Sequence, residues 1–178
     1  MTIKLYKSTS KGMVYWQAWK DGAYLAVQEG KLGVWGKARL VRPPRGTTPK
    51  QLQASLAKEK KAAGYAPISD ADHHWVIVQY KLTTWGSAKD LDKAEKLDEL
   101  FNACLAWTGN GYCDGNDIGS GEMNLFCVVV DPKLAAKTIV AELKKKPRLL
   151  AGAVVAIREG EEHRVVHPPR FKGKFAVQ

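Results

Sequence analysis

The side chains best suited to chemistry in this sequence are cations: Lys31, Lys37, Arg39, Arg42 and Arg45, then Lys58, Lys60 and Lys61. Residues 1–70 hold 10 Lys and 3 Arg against Asp21, Glu29, Glu59 and Asp70, an excess of nine. Residues 71–178 carry 15 basic and 14 acidic residues, an excess of one. A field of one sign repels itself and calls for counterions or an acidic partner. Nucleic acid is the commonest such partner, because Lys and Arg displace the ions condensed on its phosphates. Lys37 and Arg39 alternate with Ala38 and Leu40, which predicts one shared solvent face. Arg42-Pro43-Pro44-Arg45 adds two guanidiniums on a stiff loop suited to phosphate contact. Taken singly, each lysine reads as an ordinary solvated side chain; taken as a set, they point to binding.

Other candidates carry less. The segment 109–121 is rich in Gly, Asn and Asp. As a dinucleotide loop it fails, because Asp114 stands where G-x-G-x-x-G needs glycine and the segment follows a helix. As a calcium loop from Asp114 it has Asn116 and Gly119 in place, but Ile118 fills a ligand position and Leu125 replaces the closing Glu. It is expected instead as an irregular hairpin whose Asp114, Asp117 and Glu122 form an acidic surface for a basic partner. His73 and His74 point oppositely if extended, so no metal site is expected. Cys104 and Cys127 read as core, and Cys113 as the one exposed thiol. No triad or nucleophile elbow marks an active site, so neither catalytic residues nor a cofactor are expected. Trp16, Trp19, Trp75, Trp85 and Trp107 read as core or packing residues. Trp16 and Trp19 have opposite strand parity, so at most one of them faces a core.

These residues must be positioned by ordinary elements. Residues 13–20 alternate bulky β-formers, Asp21-Gly22 signals a hairpin, and 23–28 form the return strand. A further strand is expected within 29–42. Thr48, Pro49 and Gln51 make the start of a helix with a capping box, its buried face marked by Leu52, Leu56 and Ala63, stopping at Gly64. After a linker, 75–82 read as a strand. Residues 90–107 read as a helix burying Leu91, Ala94, Leu97, Phe101, Cys104 and Leu105. A strand at 123–130 leads to Asp131-Pro132, which starts a helix burying Ala135, Ile139 and Leu143. A strand at 153–158 follows. A fourth strand for this half belongs at 111–118 or 164–167.

Residues 14–68 resemble a WGR domain. The resemblance rests on the hairpin VYWQAWKDGAYLAVQ, on the spacing of Gly30, Leu32, Gly33 and Gly36, and on the close Lys61-Ala62-Ala63-Gly64-Tyr65. It implies a small sheet with one helix and contact with nucleic acid. Glu29 and Lys31 replace the family's name-giving Trp and Arg. A carboxylate repels phosphate and cannot stack, and Lys31 keeps the charge without the guanidinium fork. Trp35, six residues beyond Glu29, offers another aromatic surface.

The chain is thus expected to be an α+β protein of the bacterial type. Residues 1–68 would form a WGR-like basic module, 69–72 a linker, 73–160 a ferredoxin-like α+β sandwich and 161–178 a basic tail. With 45% hydrophobic and 26% charged residues in 178, it is globular in composition. No run approaches ~18 apolar residues, so no membrane helix is expected. Three cysteines without a pairing pattern predict a reducing compartment, the cytoplasm. The leading expectation is non-enzymatic nucleic-acid binding through phosphates, by DNA-binding or its RNA equivalent. The alternative is an immunity or adaptor protein that occludes a toxin or enzyme.

Overall fold

The computed structural model describes residues 1–83 and 85–177; Gln178, the end of the expected tail, lies outside them. Among the described residues, two antiparallel sheets and four α-helices make an α+β protein. By contact the chain divides into two units: residues 1–71 with 107–109, and residues 72–106 with 110 onward.

In the N-terminal unit, β1 (Ile3–Thr9), β2 (Gly12–Asp21), β3 (Tyr24–Lys31) and β4 (Ala38–Val41) pair in chain order. The hairpin at Asp21-Gly22 joins β2 to β3 as expected; β1 is a further strand beyond those expected. Helix α1 (Pro49–Ala62) starts on a reciprocal capping box. The Thr48 hydroxyl accepts from Gln51 N, and the Gln51 side chain accepts from Thr48 N. Its buried residues are Gln53 and Ala57, with Leu52 and Leu56 half-buried. Ala63, expected on that face, is exposed because it is the C-cap residue beyond the last turn. Leu5, Trp16, Ala18, Leu25, Val27 and Ala57 form the core between sheet and helix. Gln53 is tolerated there because its amide donates to Ala18 O at 2.7 Å.

In the C-terminal unit, β5 (His74–Lys81), α2 (Ala88–Trp107), β6 (Gly111–Gly119), β7 (Glu122–Val129), α3 (Pro132–Lys144), α4 (Pro147–Leu150), β8 (Val154–Glu159) and β9 (Glu162–His167) follow in order. The sheet order is β6-β7-β5-β8-β9, antiparallel throughout. Strands β5 to β8 with α2 and α3 have the β–α–β–β–α–β connectivity of a ferredoxin-like sandwich, and β9 extends one edge. Both places considered for a further strand are strands.

The alternate residues Val76, Val78, Leu125, Cys127, Val155 and Ile157 turn inward against α2 and α3. Asp131 caps α3 by accepting from Leu134 N at 2.9 Å, and Ala135, Ile139 and Leu143 are buried. On α2 the expected face is buried except at Leu91, which is 56% exposed in the first turn. No helix among the described residues is long and apolar enough to cross a membrane.

Candidate nucleic-acid interface

Strand register decides where the cations of the N-terminal unit project. Residues opposite each other on antiparallel strands share a face. Trp16 faces the α1 core and lies opposite Glu29; Val27 faces that core and lies opposite Arg39. Val27, Glu29 and Lys31 alternate along β3, so Lys31, Glu29 and Arg39 all project on the α1 side of the sheet. Leu40, opposite Ala26, projects on the other side and is 59% exposed. Val41 pairs with Leu25 near the start of β3, so Arg42 and Arg45 follow at the end of the sheet remote from Lys31. The string Lys31, Lys37, Arg39, Arg42, Arg45 therefore follows the β3–β4 edge. At ~3.3 Å per residue, the six steps from Leu25 to Lys31 give it a length of roughly 20 Å.

All five of these side chains are exposed, as are Lys58 and Lys61. None of the seven forms an ion pair among the described residues. Lys60 differs from them. It is half-buried, bonded to the Glu29 carboxylate at 2.5 Å, with its ammonium 5.2 Å from the centre of the Tyr65 ring. Expected as part of a free basic set, it is instead the partner of the one carboxylate on that face of β3. Lys58 lies about 160° round the helix from Lys60 but about 60° from Lys61, so Lys58 and Lys61 share a side from which Lys60 is turned away. Burial also lowers Lys4 to about 8, reducing its positive charge in alkaline solution.

The glycine-spaced segment has a packing reason. Gly36 N donates to Trp107 O at 3.0 Å and Gly33 N to Thr108 O at 2.9 Å. A Cβ on Gly36 would lie 2.4 Å from the Tyr15 hydroxyl and 2.5 Å from the Gln28 amide. Tyr15 and Gln28 both donate to Trp107 O, at 3.1 and 2.9 Å. Between these glycines Trp35 is 52% exposed, and its neighbour Val34 53%. Trp16 is core, and Trp19 meets Trp107 edge to face at 6.2 Å, so parity separates the pair as expected. Trp75 meets Phe126 in the same way at 6.4 Å, whereas Trp85 is 80% exposed and belongs to no core.

The expected irregular hairpin is the β6–β7 hairpin, with a register shift between Cys113 and Gly115, and its carboxylates serve different ends. Glu122 is buried: it pairs with Lys81 and accepts from Gln79 Nε2 at 3.0 Å. Gln79 also donates to Asn124 Oδ1, and Asn124 donates to Asp117, both at 2.9 Å. These residues are register partners on β5, β7 and β6, so the acids complete a cross-strand ladder. Glu122 is thus unavailable as a surface docking group; Asp114 and Asp117 remain exposed. Asp114 borders a cavity of about 570 Å³ floored by Trp75, Ile77 and Phe126 and edged by Arg158 and His163. No cluster of metal-ligating side chains occurs among the described residues.

Cys113, expected exposed, is buried, because on β6 it alternates with Tyr112 and Asp114 and turns inward opposite Cys127. Burial pushes the Cys104 thiol up to about 12, and a hydrogen bond with the Cys113 side chain, followed by burial, raises Cys127. All three thiols should therefore react slowly with an aromatic disulfide reagent in the native state. Labelling should follow unfolding in denaturant, and a rapid first equivalent would contradict this burial.

Compared with models of protein families, with curated proteins and with solved structures, the chain matches none.

Proposed function

We propose that the N-terminal unit binds nucleic acid through the phosphate backbone, with little reading of base sequence. The observation that carries this is the set of seven exposed cations without a carboxylate partner among the described residues. Five of them follow one sheet edge for roughly 20 Å, a length over which each strand of a duplex presents about six phosphates. The resemblance of residues 14–68 to a WGR domain supports the same reading. The Glu29–Lys60 pair argues that contact occurs along the β3–β4 edge and not at Glu29. Trp35 supplies a sequence-tolerant stacking surface beside that edge.

Replacing Lys37, Arg39, Arg42 and Arg45 together with Gln tests it. The slope of log affinity against log salt for a short duplex should flatten by about 3–4, near 0.9 per phosphate contact removed. Trp35→Ala should weaken single-strand binding by ~1–3 kcal/mol while leaving that slope intact. An affinity indifferent to salt, or a slope unchanged in the quadruple variant, would overturn the proposal.

A second reading, an immunity or adaptor protein occluding a toxin or enzyme, is favoured by Glu29 itself, a carboxylate where a stacking indole is expected. A native partner retained after nuclease treatment supports that reading, and a partner released by nuclease supports the first.

A further inference from the structure

We propose that the groove between α3 and the β8–β9 hairpin docks an acidic amphipathic helix of a partner protein. The groove encloses about 410 Å³. Its rim is Lys133, Lys137, Lys144 and Arg164, and its floor is aliphatic, chiefly Val140 and Val166. Neither a carboxylate nor an aromatic ring is among its lining residues.

The rim follows from helix geometry. Lys133, Lys137, Val140 and Lys144 are spaced four, three and four, so they fall within about 60° of one another and extend about 16 Å along α3. Ala135, Ile139 and Leu143 bury the opposite stripe against the sheet. Like charges at the spacing of Lys133 and Lys137 cost a helix ~0.2–0.5 kcal/mol. A surface serving only solubility would interleave acids there. Instead Lys133, Lys137 and Lys144 form no ion pair among the described residues, and Arg164 is oriented by its 2.7 Å bond to Glu159.

The occupant follows from this chemistry. Cations select carboxylates or phosphates, and an aliphatic floor selects aliphatic side chains. A nucleic-acid strand would leave that floor unused and would find no ring on which to stack. A second helix laid along α3 has the same repeat. Its Glu residues at positions one, five and twelve meet the three lysines while an aliphatic residue at position eight meets Val140. This surface is independent of the phosphate-binding edge proposed above.

The test uses the full chain and a labelled helical peptide of about 16 residues, one Leu stripe flanked by Glu. Binding should be lost at least ~tenfold in Lys137→Glu/Lys144→Glu, and regained by the same peptide with Lys in place of Glu. Both sites are exposed; should the double Glu variant misfold, Lys137→Gln/Lys144→Gln must still weaken binding severalfold. The Lys37/Arg39/Arg42/Arg45→Gln variant should bind the peptide unchanged. Equal binding of a scrambled peptide of the same composition would overturn the proposal. So would affinity unchanged in the α3 variants, or displacement of the peptide by a single-stranded oligonucleotide.

Discussion

Gly111→Ala is expected to destabilise the protein by about 3–5 kcal/mol, combining left-handed strain with overpacking. A Cβ at Gly111 would lie 2.1 Å from Val128 O and 2.9 Å from Val129 Cα, both backbone atoms of the paired strand β7. No rotamer change relieves such a clash; β6 must separate from β7 where the register holds Gly111 opposite Val129. The backbone at Gly111 also has φ +151, which L-residues rarely adopt. Gly115 provides the control. It lies on the same strand with φ +134, yet nothing stands within 4 Å of its Cβ position. Gly115→Ala should therefore cost only the strain, ~1 kcal/mol or slightly more. Urea midpoints of the two variants check this, and equal midpoints would refute the steric account.

Gly109→Ala should cost the N-terminal unit about 2–4 kcal/mol, by the same pair of effects acting on a side chain. Its Cβ would sit 2.3–2.6 Å from three ring carbons of Tyr15, at φ +69. The ring is only 1% exposed and is tethered through its hydroxyl to Trp107 O and Gln28, so it has nowhere to turn. Removing the ring should remove most of the penalty. In a Tyr15→Ala background, Gly109→Ala should cost ~1 kcal/mol, leaving a coupling of at least ~1 kcal/mol. Hydrogen exchange of the β2 and β3 amides gives a readout local to this unit. Strict additivity of the two substitutions would show that Tyr15 does not set the constraint.

Two residues show why the candidate interface was only partly legible. Lys60 and Arg39 look equivalent in the sequence, each a cation in a basic stretch. Glu29 approaches Lys60, because α1 crosses the sheet where β3 presents that carboxylate. Arg39 forms no ion pair among the described residues, because β4 is an edge strand. The lysines of α3, spaced four and seven on the side away from Ala135, Ile139 and Leu143, carry no distinguishing signal in the sequence. Their significance depended on β8 and β9 closing the other side of the groove.

β1 carries no clear strand signal in the sequence, because both Leu5 and Tyr6 are buried, which blurs alternation. Tyr6 has a partner in Gly109 O at 3.0 Å, more than a hundred residues along the chain. β6 lies at one of the two places expected for a further strand and in the expected irregular hairpin; glycine and aspartate dominate it, and pairing with β7 overrides their low strand propensity.

Helix starts at Thr48 and Asp131, the hairpin at Asp21-Gly22 and the buried stripes of α2 and α3 were set by the sequence alone. Capping and periodicity act over a few residues and need no other part of the chain. The charge excess of residues 1–70 is likewise a sum that no fold can alter. Tertiary structure decided which charges remain free, which thiols are hidden and which acids are bound in a ladder. Glu29 and Lys60 are 31 residues apart, and Gln79 and Glu122 are 43 apart. Contacts over such separations exist only after strands have paired, and strand register fixes which side chain meets which.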